Sequence, residues 1–324
     1  MDASRELLRL IGGYQVSQAI SVAARLGISD ALATGPQTLA ELAESTGADE
    51  QALARLLHAL TALGLYTADD GSFANTELGA ALRVDVPRSV AGWARFIGTG
   101  SYWQTYAALE QCVRSGETAF SIVHGEPVWE YRAKHPDEQE AFDAAMTSMA
   151  DAVSDAVVTA YDFSRYESVV DVGGGHGRLL SGILERYPTI HGVLFDQPDV
   201  VAGADTERFQ VVGGDFFESV PAGDALVLKS VIHDWADAES IEILRNCRRA
   251  LPTDGRVLLV EQLLDRSPDP VRTALSDVNM LIMTGGRERT TDEYRRLLAA
   301  AGLTLVDTVA TAGTTHVIEA AATH

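Results

Sequence analysis

The run Val169-Val170-Asp171-Val172-Gly173-Gly174-Gly175-His176-Gly177-Arg178 constrains the fold more than any other segment, because an apolar β-branched stretch passes directly into four glycines and then a helical pattern. A strand, glycine turn and helix in that order let backbone N–H groups approach a ligand at the strand tip, beside a helix N-terminus that favours anionic and polar groups. Gly173 and Gly175 are the candidate contacts. Eighteen residues after Arg178, the next strand ends in Leu194-Phe195-Asp196, a carboxylate placed to accept ribose hydroxyls. The segment reads as a nucleoside-cofactor site. The dinucleotide spacing G-x-G-x-x-G fails, since counting from Gly173 puts Arg178 where the third glycine belongs. That argues against a nicotinamide dinucleotide and leaves other adenosine cofactors.

With 324 residues and 46% hydrophobic side chains, the chain holds enough apolar material for one large domain or two ordinary ones. Its 46 acidic against 25 basic residues give a net charge of -21, which repels nucleic acid and anionic membrane. Cys112 and Cys247, the only cysteines, make neither a disulfide framework nor a zinc pattern and fit a reducing, cytoplasmic setting as buried thiols. Residues 1–9 lack a signal-peptide pattern, and no later run is long and apolar enough to span a bilayer.

Residues 1–95 are rich in Ala and Leu at helical spacing, whereas from about residue 166 short β-branched runs alternate with helical patterns. Thr38 with Glu41 predicts a capped helix ending at Gly47, residues 49–63 predict the next, and Leu65 to Ala74 around Asp70-Gly71 predict a hairpin. Together they suggest a winged-helix unit. Residues 37–85 carry eight acids and only Arg55 and Arg83 as strong bases, the reverse of a phosphate-binding face, so the unit is expected to pack against a second subunit instead of DNA. Residues 96–160 read as helical, with bulky side chains that divide between core and a pocket for a flat ligand. Beyond them the pattern predicts strands at 168–173, 192–196, 209–214, 225–231, 255–262, 303–310 and 316–322, with helices at 177–186, 238–250 and 291–301. The fold class expected is α/β, a mostly parallel sheet with helices on both faces and an antiparallel hairpin at its end.

In an open sheet of this type ligands sit at the carboxyl ends of the strands. Polar groups end four of them: Gly173 to Gly177, Asp196, Asp215 with Phe216, and Lys229 through His233 and Asp234. Cofactor chemistry divides the work. Asp196 would accept the ribose hydroxyls, Asp215 the adenine amino group, and Phe216 would stack on the base, with Lys229 and Asp234 on the cofactor side. Asp234 has a second reading, as a residue that helps start the helix after Trp235.

Four motifs, Asp171-Val172-Gly173-Gly174-Gly175-His176-Gly177, Gly214-Asp215-Phe216-Phe217, Leu228-Lys229-Ser230-Val231-Ile232-His233-Asp234-Trp235 and Gly285-Gly286-Arg287-Glu288-Arg289-Thr290, occur in an order that resembles the S-adenosylmethionine-dependent small-molecule O-methyltransferases of the plant caffeic-acid type and their bacterial natural-product relatives. The resemblance runs from about Trp129 to the C-terminus and more loosely across the winged-helix segment. It implies a Rossmann-like class I methyltransferase domain with a seven-stranded sheet over 161–324, a winged-helix-like dimerisation domain over 1–95, and a helical connector over 96–160 that contributes to the substrate pocket. It also implies a homodimer, S-adenosyl-L-methionine as methyl donor with S-adenosyl-L-homocysteine as product, and a small aromatic substrate. A sulfonium carries its own neutral leaving group, so no metal is expected. By its place in the His-Asp-Trp motif, His233 is the general base, flanked by Glu261 and Glu288 as orienting acids. Pocket positions of the family fall at Phe96, Tyr102, Trp129, Phe142, Met146 and Met280; Asn279 and Met283 are added as neighbours on the same stretch. Three rival readings remain: the same fold turned to hydroxylation or decarboxylation, disfavoured by the retained His233, Glu261 and Glu288; a nicotinamide oxidoreductase; and a DNA-binding regulator.

Overall fold

A computed structural model describes residues 2–204 and 207–323, which divide into two compact units, one of residues 2–104 with 132–149 and one of the described residues within 105–131 and 150–323. In the first unit the expected caps form. Thr38 and Glu41 make a reciprocal capping box ahead of the helix Leu39–Thr46, and Asp49 caps the helix Glu50–Ala62. Asp70 and Gly71 both adopt positive φ, 45° and 80°, which turns Tyr66–Asp69 antiparallel onto Ser72–Asn75. Leu42, Leu53, Leu57 and Leu60 face inward from the two helices, each burying a side chain worth ~1.5–3 kcal/mol. The helix Ala3–Ile11 buries nothing within the chain, and Leu7, Leu8, Leu10, Ile11 and the neighbouring Tyr14 are all exposed.

The second unit is built on a seven-stranded sheet: β1 (Ser168–Val172), β2 (His191–Asp196), β3 (Gln210–Gly213), β4 (Ala225–Lys229), β5 (Arg256–Gln262), β6 (Leu303–Ala310) and β7 (Thr315–Ala322). Their spatial order is β3-β2-β1-β4-β5-β7-β6, with the first five parallel and β7 antiparallel to both neighbours. Parallel strands need cover on both faces, which is why their interiors are mostly continuous apolar runs instead of alternating, with Asp171 in β1 and Glu261 in β5 as buried exceptions. Val170, Val172, Leu226 and Leu228 pack on one face against the helices α2 (Asp237–Ala250) and α4 (Thr291–Ala300). Val169, Leu194, Val227 and Leu258 pack on the other against α1 (Arg178–Arg186) and the end of the helix Pro136–Ala160.

The strand order reverses between β1 and β4, and there the connecting segments leave in opposite directions and open a crevice at the carboxyl ends. That single topological fact collects the glycine turn, Asp196, Asp215 and the His-Asp-Trp segment at one edge. Between 262 and 291, where the pattern predicts no helix, stands α3 (Pro270–Met283), started by the Asp269 side chain accepting from Arg272 N, with Pro270 in its first turn. Cys112 and Cys247 are buried free thiols, as expected. Among the described residues no helix is long and apolar enough to cross a membrane.

Candidate active site

At the tip of β1 the chain turns through Gly173, Gly175 and Gly177, all at positive φ (68°, 59° and 76°), a conformation that side chains with a Cβ rarely adopt. Space above Gly175 is open: a Cβ there would meet nothing within 4 Å. Its N–H donates to Asp196 Oδ2 at 2.8 Å, and the Gln197 N–H donates to Oδ1 at 2.7 Å. The carboxylate ending β2 is thereby fixed beside the glycine turn. Asp215 closes a local turn by accepting from Phe217 N at 2.8 Å, and the half-buried Phe216 sits edge-on to Trp235, 5.9 Å between ring centres. Lys229 is half-buried at the end of β4. Asp234 does not start the helix that follows, because α2 begins at Asp237 after Ala236 with no side-chain cap.

Asp171 lies beneath this turn, fully buried, and neither carboxylate oxygen has a hydrogen-bond partner among the described residues. Burial pushes its carboxyl up to about 6 against the pull of Lys229. A raised carboxyl weighs on the fold once the unfolded chain ionises near 3.8, and the cost is complete above about 6, at about 3 kcal/mol. Asp171→Asn should therefore gain about 2.5 kcal/mol on the natural protein between pH 4 and pH 8, measured by denaturant titration at both. An equal difference at both pH values would show that Asp171 stays ionised without penalty.

His233 stands on the short turn Ile232–Asp234 after β4. The strand leaves through Ser230, a non-glycine residue at φ 56°, whose N–H is held by Val260 O at 3.0 Å. His233 Nδ1 is 3.1 Å from Glu261 Oε2 and 3.6 Å from Glu288 Oε1, while Nε2 is 3.9 Å from Asp234 Oδ1. The 3.1 Å approach is out of line for a hydrogen bond, and Nδ1 and Oε2 each remain without one. Both glutamates are fully buried. Glu261 Oε1 is fixed by the Val231 and Ile232 N–H groups at 3.2 and 2.9 Å. Glu288 Oε1 accepts from Gln262 Nε2 at 3.0 Å and Ser276 Oγ at 2.8 Å. Burial alone would push the imidazole down, but Glu261, Glu288 and Asp234 overcome it and hold His233 well above its usual range. Glu288 is held low in turn: burial opposes ionisation, and the imidazolium, Ser276 and Gln262 outweigh it. The three side chains offer ligand-type atoms within 4.8 Å of one another, a set that a divalent ion also fits.

The pocket candidates divide between the two units. Phe96 lies edge-on to Tyr102 and Phe142 at 5.3 and 5.7 Å in the first, with the Arg132 guanidinium 3.7 Å above Phe142, and Met146 is exposed there. In the second, Trp129 stacks on Trp235 at 6.5 Å, Asn279 Oδ1 accepts from Tyr106 Oη at 3.2 Å, Met280 is half-buried and Met283 buried. Four residues that the structure brings to this site carried no role in the sequence. Ser276 and Asp277, which hold Glu288 through its side chain and its N–H, lie on the unread α3. Gln262 was visible only as a neighbour of Glu261, and the fully buried Arg289 stood in the fourth motif with no role assigned to it.

Comparison with known proteins fits this geometry. A family model for an O-methyltransferase domain matches residues 106–304, and one for an O-methyltransferase dimerisation domain matches residues 8–85. The phenazine O-methyltransferase of Lysobacter antibioticus is 42% identical over 97% of this chain and 95% of its own. The mitomycin biosynthesis 6-O-methyltransferase of Streptomyces lavendulae is 36% identical over 91% and 87%. Human N-acetylserotonin methyltransferase, solved in complex with S-adenosylmethionine, superposes with a TM-score of 0.93 at 30% identity, covering 100% of this chain and 99% of that one. With both domain models matched in order and relatives above 30% identity spanning nearly its whole length, the chain belongs to the S-adenosylmethionine-dependent O-methyltransferase family.

Proposed function

We propose that the protein methylates a phenolic hydroxyl of a small aromatic natural product, with His233 as the general base. The observation that carries this reading is the buried contact of His233 with Glu261 and Glu288 at the same sheet edge as the glycine turn. Phenols titrate near ~10 and a free imidazole near ~6.5, so full proton transfer in water is uphill by ~5 kcal/mol. Two carboxylates behind Nδ1 raise the imidazole toward the phenol and narrow that gap. Their negative charge nearest Nδ1 favours the proton on that nitrogen, which leaves Nε2 as the acceptor.

The residues present fit the cofactor. Open space over Gly175 and the fixed carboxylate of Asp196 suit a ribose, while Asp215 and the half-buried ring of Phe216 suit an adenine. Bound S-adenosylmethionine supplies an electrophilic methyl group on sulfur. Gly173 permits close backbone approach, Lys229 and Asp234 complete the cofactor side, and His233 takes the hydroxyl proton. Within the second unit, Trp129, Asn279, Met280 and Met283 are proposed to contact the flat acceptor, thioether sulfur packing softly on aromatic faces. The acceptor class follows from relatives named for phenazine and mitomycin chemistry. The domain assignment proposed is 1–95 for dimerisation, 96–160 as connector and 161–324 for methyl transfer. The exposed apolar face of Ala3–Ile11 and Tyr14, with the dimerisation-domain match, supports a homodimer. Two buried unpaired thiols support a reducing, cytoplasmic setting.

Contact among all three residues favours methyl transfer over hydroxylation or decarboxylation, which need no such base. The test is mass spectrometry after incubation with S-adenosylmethionine and a panel of phenolic metabolites. The expected product carries one added methyl group on oxygen; oxidised or decarboxylated products in its place would reject the reading.

A further inference from the structure

We propose that Arg289 is the positioning residue of the base, a guanidinium that clamps the backbone on both sides of His233. The inference rests on the reading of His233 given above. Arg289 is 1% exposed, and burying a guanidinium costs several kcal/mol unless its donors are all taken up. They are. Nη1 donates to Ile232 O at 3.1 Å and Nη2 to Trp235 O at 2.9 Å, so the fork spans the residues before and after the His233-Asp234 pair. Nε and Nη2 also reach Asp237 Oδ1 at 3.1 and 2.8 Å, at the start of α2. The same short segment takes the carbonyl between them, with Arg287 N donating to His233 O at 2.8 Å, and the backbones meet so closely that a Cβ on Gly286 would fall 2.0 Å from that oxygen.

The ion pair does not explain this investment. The Asp237 side chain is 63% exposed, and a pair open to water on one side contributes little. The carbonyls explain it better, because His233 is carried on a turn that leaves β4 through the left-handed Ser230. A non-glycine residue persists in that conformation only where its surroundings over-determine the backbone. Arg289 does so with a rigid planar fork reaching two carbonyls at once, which a lysine cannot reproduce. Glu288 touches the imidazole ring and its neighbour Arg289 grips the turn beneath it, so one stretch of chain sets both ends of the residue.

The experiment is a double-mutant cycle on the full-length enzyme, with S-adenosylmethionine affinity measured by calorimetry. A misplacement near 1 Å costs about 100-fold in rate, so Arg289→Met is expected to lower kcat about 10- to 100-fold with cofactor affinity changed less than about threefold. Arg289→Lys, which keeps the charge but not the fork, should lose at least about fivefold. In a His233→Ala background the same substitutions should change the residual rate by less than about twofold, because a residue that acts through the base has nothing left to position. If Arg289→Met does not fold, Asp237→Asn, which loosens the outer anchor of the guanidinium, should lower kcat about threefold and show the same dependence on His233. An undiminished loss in the His233→Ala background, or an unchanged kcat in both Arg289→Lys and Asp237→Asn, overturns the proposal. Failure of His233→Ala itself to slow the enzyme would instead overturn the base.

Discussion

His233→Ala should lower turnover by ~10²–10⁴-fold, the usual worth of a positioned general base, while S-adenosylmethionine binds almost as before. Binding and chemistry separate because the carboxylates of Glu261 and Glu288 lie nearest Nδ1, which leaves Nε2 for the acceptor, whereas the cofactor candidates Gly175 and Asp196 lie at the ends of β1 and β2. The loss should shrink for phenols bearing electron-withdrawing groups, since a hydroxyl that already ionises needs less help. Rates of both proteins across a series of substituted phenols make the check. A variant that keeps more than about half its activity on an ordinary phenol would show that alignment alone drives the transfer.

A second large effect is expected on cofactor binding. Asp196→Ala should weaken S-adenosylmethionine by ~1.5–3 kcal/mol, the loss of hydrogen bonds to a charged group, or about 10- to 200-fold. The carboxylate also holds the turn, accepting from Gly175 N at 2.8 Å, so its removal loosens the backbone the ligand approaches. Calorimetry giving an unchanged affinity would take Asp196 out of the site.

These residues are legible in the sequence because they lie at the ends of predicted strands, and a parallel sheet puts all those ends at one edge. The Thr38–Glu41 capping box and the Asp70-Gly71 turn are legible for a similar reason, being local chemistry over four or fewer residues. What escaped was tertiary. The helix α3 has buried Thr273, Ile282 and Met283 but exposed Val271 and Leu275, so its apolar periodicity is blurred. With it went Ser276 and Asp277, the partners that hold Glu288. Arg289 was opaque because hydrophobic periodicity reports only apolar burial, and a charge neutralised by backbone carbonyls leaves no pattern along the chain. Asp234 was ambiguous between cap and site until the helix start at Asp237 removed the first option.

The central claim is that two buried acids hold His233 as the group that accepts the acceptor's proton, and the pH dependence of kcat/KM tests it most directly. A base works only when deprotonated, so the rate should rise with pH through the value of His233, which Glu261 and Glu288 hold well above 6.5. Glu288→Gln removes one carboxylate behind Nδ1 and keeps the shape, so the acid limb should move to lower pH while the limiting rate falls, the imidazole now lying further from the phenol. A limb above 6.5 that shifts down in Glu288→Gln is the predicted result, and a limb at the same pH in both proteins, or no limb at all, would contradict it.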